Sequence, residues 1–170
     1  MQKTLYVLRH AKSDWDDPDL DDHDRPLAPR GRQAAPLIAG WLRDRGHAPA
    51  LVLCSSALRT RQTLEHVAEA VPDAEVRVED ELYLASAGEL LGRLRAVAEP
   101  IPSVLLIGHN PGLQALVLAL AGRSPARRQV EGKFPTAALA VLAAPGSWAD
   151  LDEGAAELVE FVRPRDLAGQ

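Results

Sequence analysis

Arg9 and His10 stand together at the point where the apolar run Leu5–Leu8 ends, in the stretch LYVLRHAKSDW. Two further runs end in the same way. Ala50–Cys54 leads into Ser55, Ser56 and Arg59 in LCSSALRTRQT, and Val104–Ile107 leads into Gly108, His109 and Asn110 in IGHNPG. Taken singly, a strand-end arginine or histidine is ordinary. Together these junctions bring two arginines and two histidines to one edge of a sheet, where open α/β folds bind their ligands. The chemistry suits a phosphoryl group. A guanidinium fork matches phosphate oxygens, and helix N-termini add N–H donors. A neutral imidazole can attack phosphorus and carry the group as a phosphoramidate, dividing one transfer into two easier ones. The rest of the barrier is positioning and charge stabilisation, which two arginines and a second histidine can supply without a metal. Lys12 and Ser13, directly after His10, are candidates for the pocket lining.

The elements that must position these residues are legible in the hydrophobic pattern. Leu5–Leu8, Ala50–Cys54 and Val104–Gly108 read as buried strands, with Arg77–Glu79, Ala137–Leu142 and Leu158–Val162 as further strands. Ala34, Leu37, Ile38, Trp41 and Leu42 repeat at helical spacing, as do Leu64, Val67, Ala68 and Val71, and Leu113, Leu116, Val117 and Leu120. Ser86 and Glu89 form a capping box ahead of Leu90, Leu91, Leu94 and Val97. Asn110-Pro111 fits a cap followed by proline at the first helical position. Pro36 either delays the first helix or kinks it. GRSPARRQVEGKFP, carrying Arg123, Arg127, Arg128 and Lys133, reads as a loop. Strands alternating with helices predict an α/β fold, a three-layer α/β/α sandwich on a mostly parallel sheet. With no repeat or long linker, residues 1–170 are expected to form a single domain.

The formal net charge of −5 argues against a nucleic-acid partner. One cysteine, Cys54, makes no internal disulfide and reads as a small buried hydrophobe in a reducing compartment. The N-terminal stretch turns polar too soon for a signal peptide, and no apolar run is long enough to span a membrane. The expected location is the cytoplasm.

LRHAKS, LCSSALRTRQT and IGHNPG, in this order, resemble the motifs of the histidine phosphatase superfamily, the phosphoglycerate-mutase-like fold. DHDRPLAPRGRQA before the first helix, and the short length, resemble the SixA-type phosphohistidine phosphatase branch, which lacks the helical insert of the mutases. The resemblance implies that His10 is the nucleophile, that Arg9 and Arg59 clamp phosphate, that His109 stabilises the transferring group, and that the Asn110 amide adds a donor. With two permanent cations at the site and no carboxylate set suited to magnesium, no metal and no cofactor are expected. Ala11 stands where the family usually has glycine, and should be tolerated if its torsions are ordinary. Larger family members carry a glutamate two residues past a leucine after the third strand. Here Leu82 is followed by Tyr83 and Leu84, with Asp80 and Glu81 out of step. A missing acid favours phosphohistidine, whose imidazole leaving group can be protonated on its other nitrogen before cleavage, over an ester. The expected activity is therefore hydrolysis of phosphohistidine or another phosphoramidate, on a phosphorylated protein or a small phosphorylated substrate. The alternatives are a broad small-molecule phosphomonoesterase and a non-catalytic phosphate- or phosphoprotein-binding module.

Seven aspartates crowd Asp14–Asp24. They lack the glycine and terminal glutamate of a calcium loop and read as a solvated segment that selects a macromolecular partner, with local pairing of Asp22 and Asp24 to Arg25 as the competing view. His23, His47 and His66 are expected to be solvated. Trp15 either walls the pocket or covers the core.

Overall fold

The computed structural model describes residues 2–168. Six strands form one sheet: β1 (Gln2–Arg9), β2 (Leu51–Ser55), β3 (Glu75–Glu79), β4 (Ser103–Gly108), β5 (Leu139–Pro145) and β6 (Glu157–Val162), in the order β3-β2-β4-β1-β5-β6. The β1–β4, β2–β4 and β2–β3 pairs are parallel, whereas β5 runs antiparallel to both β1 and β6. The sheet is thus mostly parallel, with β5 alone reversed, and the contiguous parallel strands β3-β2-β4-β1 hold the three junctions named above.

Side-chain alternation along the strands feeds two cores. Leu5, Val7, Leu53, Val104 and Leu106 pack on one face with α3 (Ala87–Arg95) and α4 (Gly112–Leu120). Tyr6, Leu8, Val52, Cys54, Leu105 and Ile107 pack on the other with α1 (Pro29–Asp44) and α2 (Leu58–Val67). Strands covered on both faces read as near-continuous apolar runs, which is why they were visible in the sequence. Two short helices, α5 (Pro125–Gly132) and α6 (Pro164–Leu167), complete the described residues. None of the described helices is long and apolar enough to cross a membrane.

Several local expectations are corrected. α1 begins at Pro29, its first-turn proline, and runs through Pro36. Pro36 is exposed, so the carbonyl it cannot serve faces water, where the loss is cheap. Pro111 is the N-cap of α4 rather than its first residue, and Asn110 Oδ1 accepts from the Gln114 N–H at 3.2 Å. The stretch expected as a loop after Arg123 contains α5, capped by Ser124, whose Oγ accepts from the Arg127 N–H at 3.1 Å. The Ser-Pro pair signalled that start, but Val130 is the helix's one buried residue, too little periodicity to register. The Ser86–Glu89 capping box is present in both directions.

Candidate functional site

Because β2, β4 and β1 are adjacent and parallel, their carboxyl ends meet at one edge. There a cavity of about 250 Å³ is lined by Arg9, His10, Lys12, Ser13, Trp15, Arg25, Arg59, Leu84, His109, Asn110 and Thr136. All seven residues singled out from the sequence are in that lining. Arg25, Leu84 and Thr136 are additions.

His10 sits just past β1 and is buried. Its backbone N–H donates to the Gly108 carbonyl at 3.0 Å, fixing the junction to β4. Its Nδ1 is 2.7 Å from the Ala11 carbonyl. A carbonyl only accepts, so Nδ1 carries the proton and Nε2 keeps a free lone pair. Burial, followed by the positive charges of Arg59, Arg9 and Arg25, pulls the His10 pKa down to about 3 against a raising contribution from Ala11. The ring is therefore neutral at neutral pH. Ala11 has no positive φ and donates its N–H to Thr63 Oγ1 at 3.0 Å, so a methyl group is accommodated where the family has glycine.

His109 follows β4, its ring centroid 5.3 Å from that of His10. Its Nε2 is 2.7 Å from Ser55 Oγ, and its pKa is likewise pulled down to about 3, chiefly by burial and then by His10 and Arg59. Ser55 is fully buried and holds this ring. Arg9 Nη1 donates to the Phe134 carbonyl at 3.1 Å. Three buried polar atoms have no partner among the described residues: Arg9 Nε, Arg59 Nε and His109 Nδ1. Unpaired buried donors are costly, and their gathering around one cavity is the mark of an anion site.

Asp22 was not assigned to the site, yet it organises it. Its carboxylate accepts from Arg25 Nε and Nη2 at 3.1 and 3.0 Å and from Arg59 Nη2 at 3.0 Å, and also from the Tyr83 hydroxyl. Burial pushes its pKa up, but the bonds from Tyr83, Arg25 and Arg59 outweigh this and hold it well below the usual carboxylate range. Arg25 Nη1 in turn donates to Ser13 Oγ at 2.7 Å. The aspartate segment is thus not wholly solvated: Asp22 pairs locally with Arg25, while Asp16, Asp17, Asp19 and Asp21 are exposed. The signal was Asp22 lying three residues before Arg25 in DHDR.

Gly31, in the first turn of α1, lies against the loop after His10. A Cβ there would sit 2.2 Å from the Lys12 carbonyl oxygen, so only glycine allows this approach. This accounts physically for the glycine in PLAPRGRQA.

The remaining expectations divide. Asp80 and Glu81 are exposed and absent from the lining, whereas Leu84, at the position of the family's acid, is in it. Trp15 is 71% exposed with the Arg25 guanidinium 3.4 Å above its ring, so it walls the pocket and does not cover the core. His47 is not solvated: it is 2.9 Å from the Tyr6 hydroxyl and stacks on Trp41. His23 is not fully solvated either, with Nε2 2.9 Å from Ser56 Oγ and its ring edge-on to Tyr83. His66 is half-buried. Cys54 is buried, and burial pushes its thiol up to about 12, so it is inert. No group of three or more His, Cys, Asp or Glu that could hold a metal ion occurs among the described residues.

A doubly covered sheet with two arginines and two neutral histidines at its carboxyl edge defines a phosphoryl-handling α/β protein. Residues 5–105 match the histidine phosphatase superfamily (branch 1), and the chain belongs to that family. An uncharacterised protein of Mycobacterium tuberculosis is 43% identical over 162 residues, covering 93% of this chain and 100% of that protein. Phosphohistidine phosphatase SixA of Escherichia coli is 30% identical over 125 residues, covering 71% of this chain and 76% of SixA. Among solved structures, protein histidine phosphatase SixA complexed with tungstate superposes with a TM-score of 0.78 at 30% identity, covering 98% of this chain and 99% of the other. A candidate SixA from Nakamurella multipartitia gives 0.84 at 37% identity, covering 96% and 97%. The fold and family are those of a phosphatase.

Proposed function

We propose that this chain is a metal-independent phosphohistidine phosphatase working through a phosphohistidine intermediate on His10. The observation that carries the reading is the pairing of a neutral, oriented His10 with a cavity lining that contains no carboxylic acid. Nε2 of His10 attacks phosphorus, and the N–P bond to the substrate imidazole breaks. That imidazole, protonated on its other nitrogen beforehand, leaves neutral and needs no enzyme acid. Water then attacks the phosphorylated His10, releasing inorganic phosphate and restoring the neutral ring.

Arg9 and Arg59 clamp the phosphoryl oxygens, and His109 donates from Nδ1 as charge develops on the transferring group. The Asn110 side chain is committed to Phe134 and Gln114, so its contribution is its backbone N–H, which is unpaired among the described residues. Lys12 reaches the cavity from the rim, and Ser13 acts by holding Arg25. The tungstate complex of SixA, an oxyanion held by a similar fold, supports an anion in this cavity. Leu84 at the acid's position disfavours phosphate esters, whose alkoxide must be protonated as it leaves.

The test is a side-by-side panel of a phosphohistidine protein, a small phosphoramidate and phosphate esters, with rapid quench to trap the phosphoenzyme. The expected result is an acid-labile phosphoenzyme, lost in His10→Ala, and turnover of N–P substrates at least tenfold above esters. Faster ester hydrolysis, or near-wild-type activity in folded His10→Ala, would sink the proposal.

A further inference from the structure

Beside the catalytic cavity lies a larger groove of about 480 Å³, lined by cations from four parts of the chain. Lys12 comes from the loop after His10, Arg30 from the first turn of α1, Lys133 from the end of α5, and Arg163 and Arg165 from the start of α6. No Asp or Glu is in the lining. Arg163 is compensated by Asp166 at 3.0 Å, but Lys12, Arg30 and Lys133 form no ion pair among the described residues. This concentration occurs in a chain whose formal net charge is −5, so the groove is a local field of the opposite sign to the whole. Lys12 and Thr136 line both hollows, so the groove opens directly from the place where a phosphoryl group would sit.

We infer that this groove binds acidic residues flanking the phosphohistidine of a polypeptide substrate. The inference rests on the function proposed above and names the substrate class for the same site. The two hollows are built differently. In the cavity, the Arg25 and Arg59 guanidiniums are immobilised by Asp22, as recognition of one compact tetrahedral group requires. In the groove, Lys12, Arg30, Lys133 and Arg165 are exposed. Between them lie Ala34, Gly132, Pro135 and Pro164, a mixed wall of apolar and backbone surface. Exposed charges interleaved with apolar surface suit carboxylates carried along a chain better than one clustered polyanion. A phosphohistidine seated in the cavity would place its own neighbouring residues over this wall.

The experiment uses two peptides carrying a non-hydrolysable phosphohistidine analogue, one flanked by Asp and Glu and the other by Asn and Gln. Binding is followed by fluorescence anisotropy against the full chain at two salt concentrations. The acidic peptide should bind at least tenfold more tightly at low salt, with the advantage shrinking as salt rises. In Arg30→Glu/Lys133→Glu, with folding verified by circular dichroism, the preference should vanish while affinity for the neutral peptide shifts less than twofold. Equal affinities for the two peptides, or a preference that survives the double substitution, would overturn the inference. So would tripolyphosphate displacing a neutral peptide while acidic flanks confer no advantage, which would assign the groove to small polyanions. Turnover is not part of the readout, so failure of the phosphohistidine activity and failure of the groove are separately visible.

Discussion

Ser55 Oγ lies 2.7 Å from Nε2 of His109, and this contact decides which ring nitrogen carries the proton. The Ala57 N–H donates to the same oxygen at 3.4 Å, and the buried hydroxyl's own proton has no other acceptor among the described residues, so it donates to Nε2. The His109 proton is then on Nδ1, the atom left without a partner. Ser55→Ala frees the tautomer. Turnover of a phosphoramidate should fall roughly tenfold with KM little changed, since ring position is kept but its donor is not. Equal falls in Ser55→Ala and Ser55→Cys kcat alongside a raised KM would instead indicate a packing defect.

His10 and His109 also set the acid sensitivity of the fold. Their folded pKa values near 3 lie below the ordinary value of 6.5 that each regains on unfolding. Between those limits the unfolded chain binds more protons, so stability declines as pH falls from about 6.5 toward 3 and is level above that window. Thermal midpoints should show this decline, with a shallower slope in His109→Gln. The acid limb of kcat/KM attributable to His10 should lie below pH 5.

Asp22→Asn removes the charge that compensates Arg59 and Arg25, both buried. The expected cost at neutral pH is about 1–2 kcal/mol, discounted for the partial exposure of Asp22, together with a fall in kcat/KM. Because the folded-state pKa of Asp22 is depressed, its contribution is fully present above the unfolded carboxylate value and is lost progressively as pH falls from there through the folded value. The difference between variant and parent should therefore begin to narrow only below about pH 4 and go on narrowing toward lower pH. Chemical denaturation across pH checks it.

Gly31→Ala drives a methyl group into the Lys12 carbonyl. The loop after His10 must move, so stability should drop by about 1–3 kcal/mol and activity with it. Gly92→Ala, where a Cβ meets nothing within 4 Å, is the matched control and should be neutral or mildly stabilising.

Exhaustive EDTA treatment should leave hydrolysis unchanged, because the fixed charges of Arg9, Arg25 and Arg59 already line the cavity. Activity lost to EDTA and restored by one metal ion would contradict this.

The parts of the site lying next to a buried strand were legible. Arg9, His10 and His109 sit at the ends of apolar runs and Arg59 in the first turn of the helix after one, and the strand–helix alternation made their shared edge readable. Asp22, Arg25 and Thr136 were not, because they reach the cavity from connections with no periodic signal. Asp22 was further disguised by exposed aspartates of the same composition. The antiparallel direction of β5 could not be read from Leu139–Leu142, since a strand buried on both faces looks the same either way round.

That reversal has a consequence for how the protein folds. Running against its neighbour, β5 begins where β1 ends, so the stretch leading into it closes over His10. The Ala137 N–H donates to the carbonyls of both Arg9 and His10, Ala138 accepts from the Arg9 N–H, and Phe134 accepts from Arg9 and Asn110. Arg9 and His10 are therefore joined to partners that follow them by more than a hundred residues in the chain. The edge that holds His10 thus matures last, by a long-range pairing that folds slowly compared with the local helices. In a refolding time course, helical signal should return first and phosphatase activity with the final phase, so that turnover reports the closing of this edge.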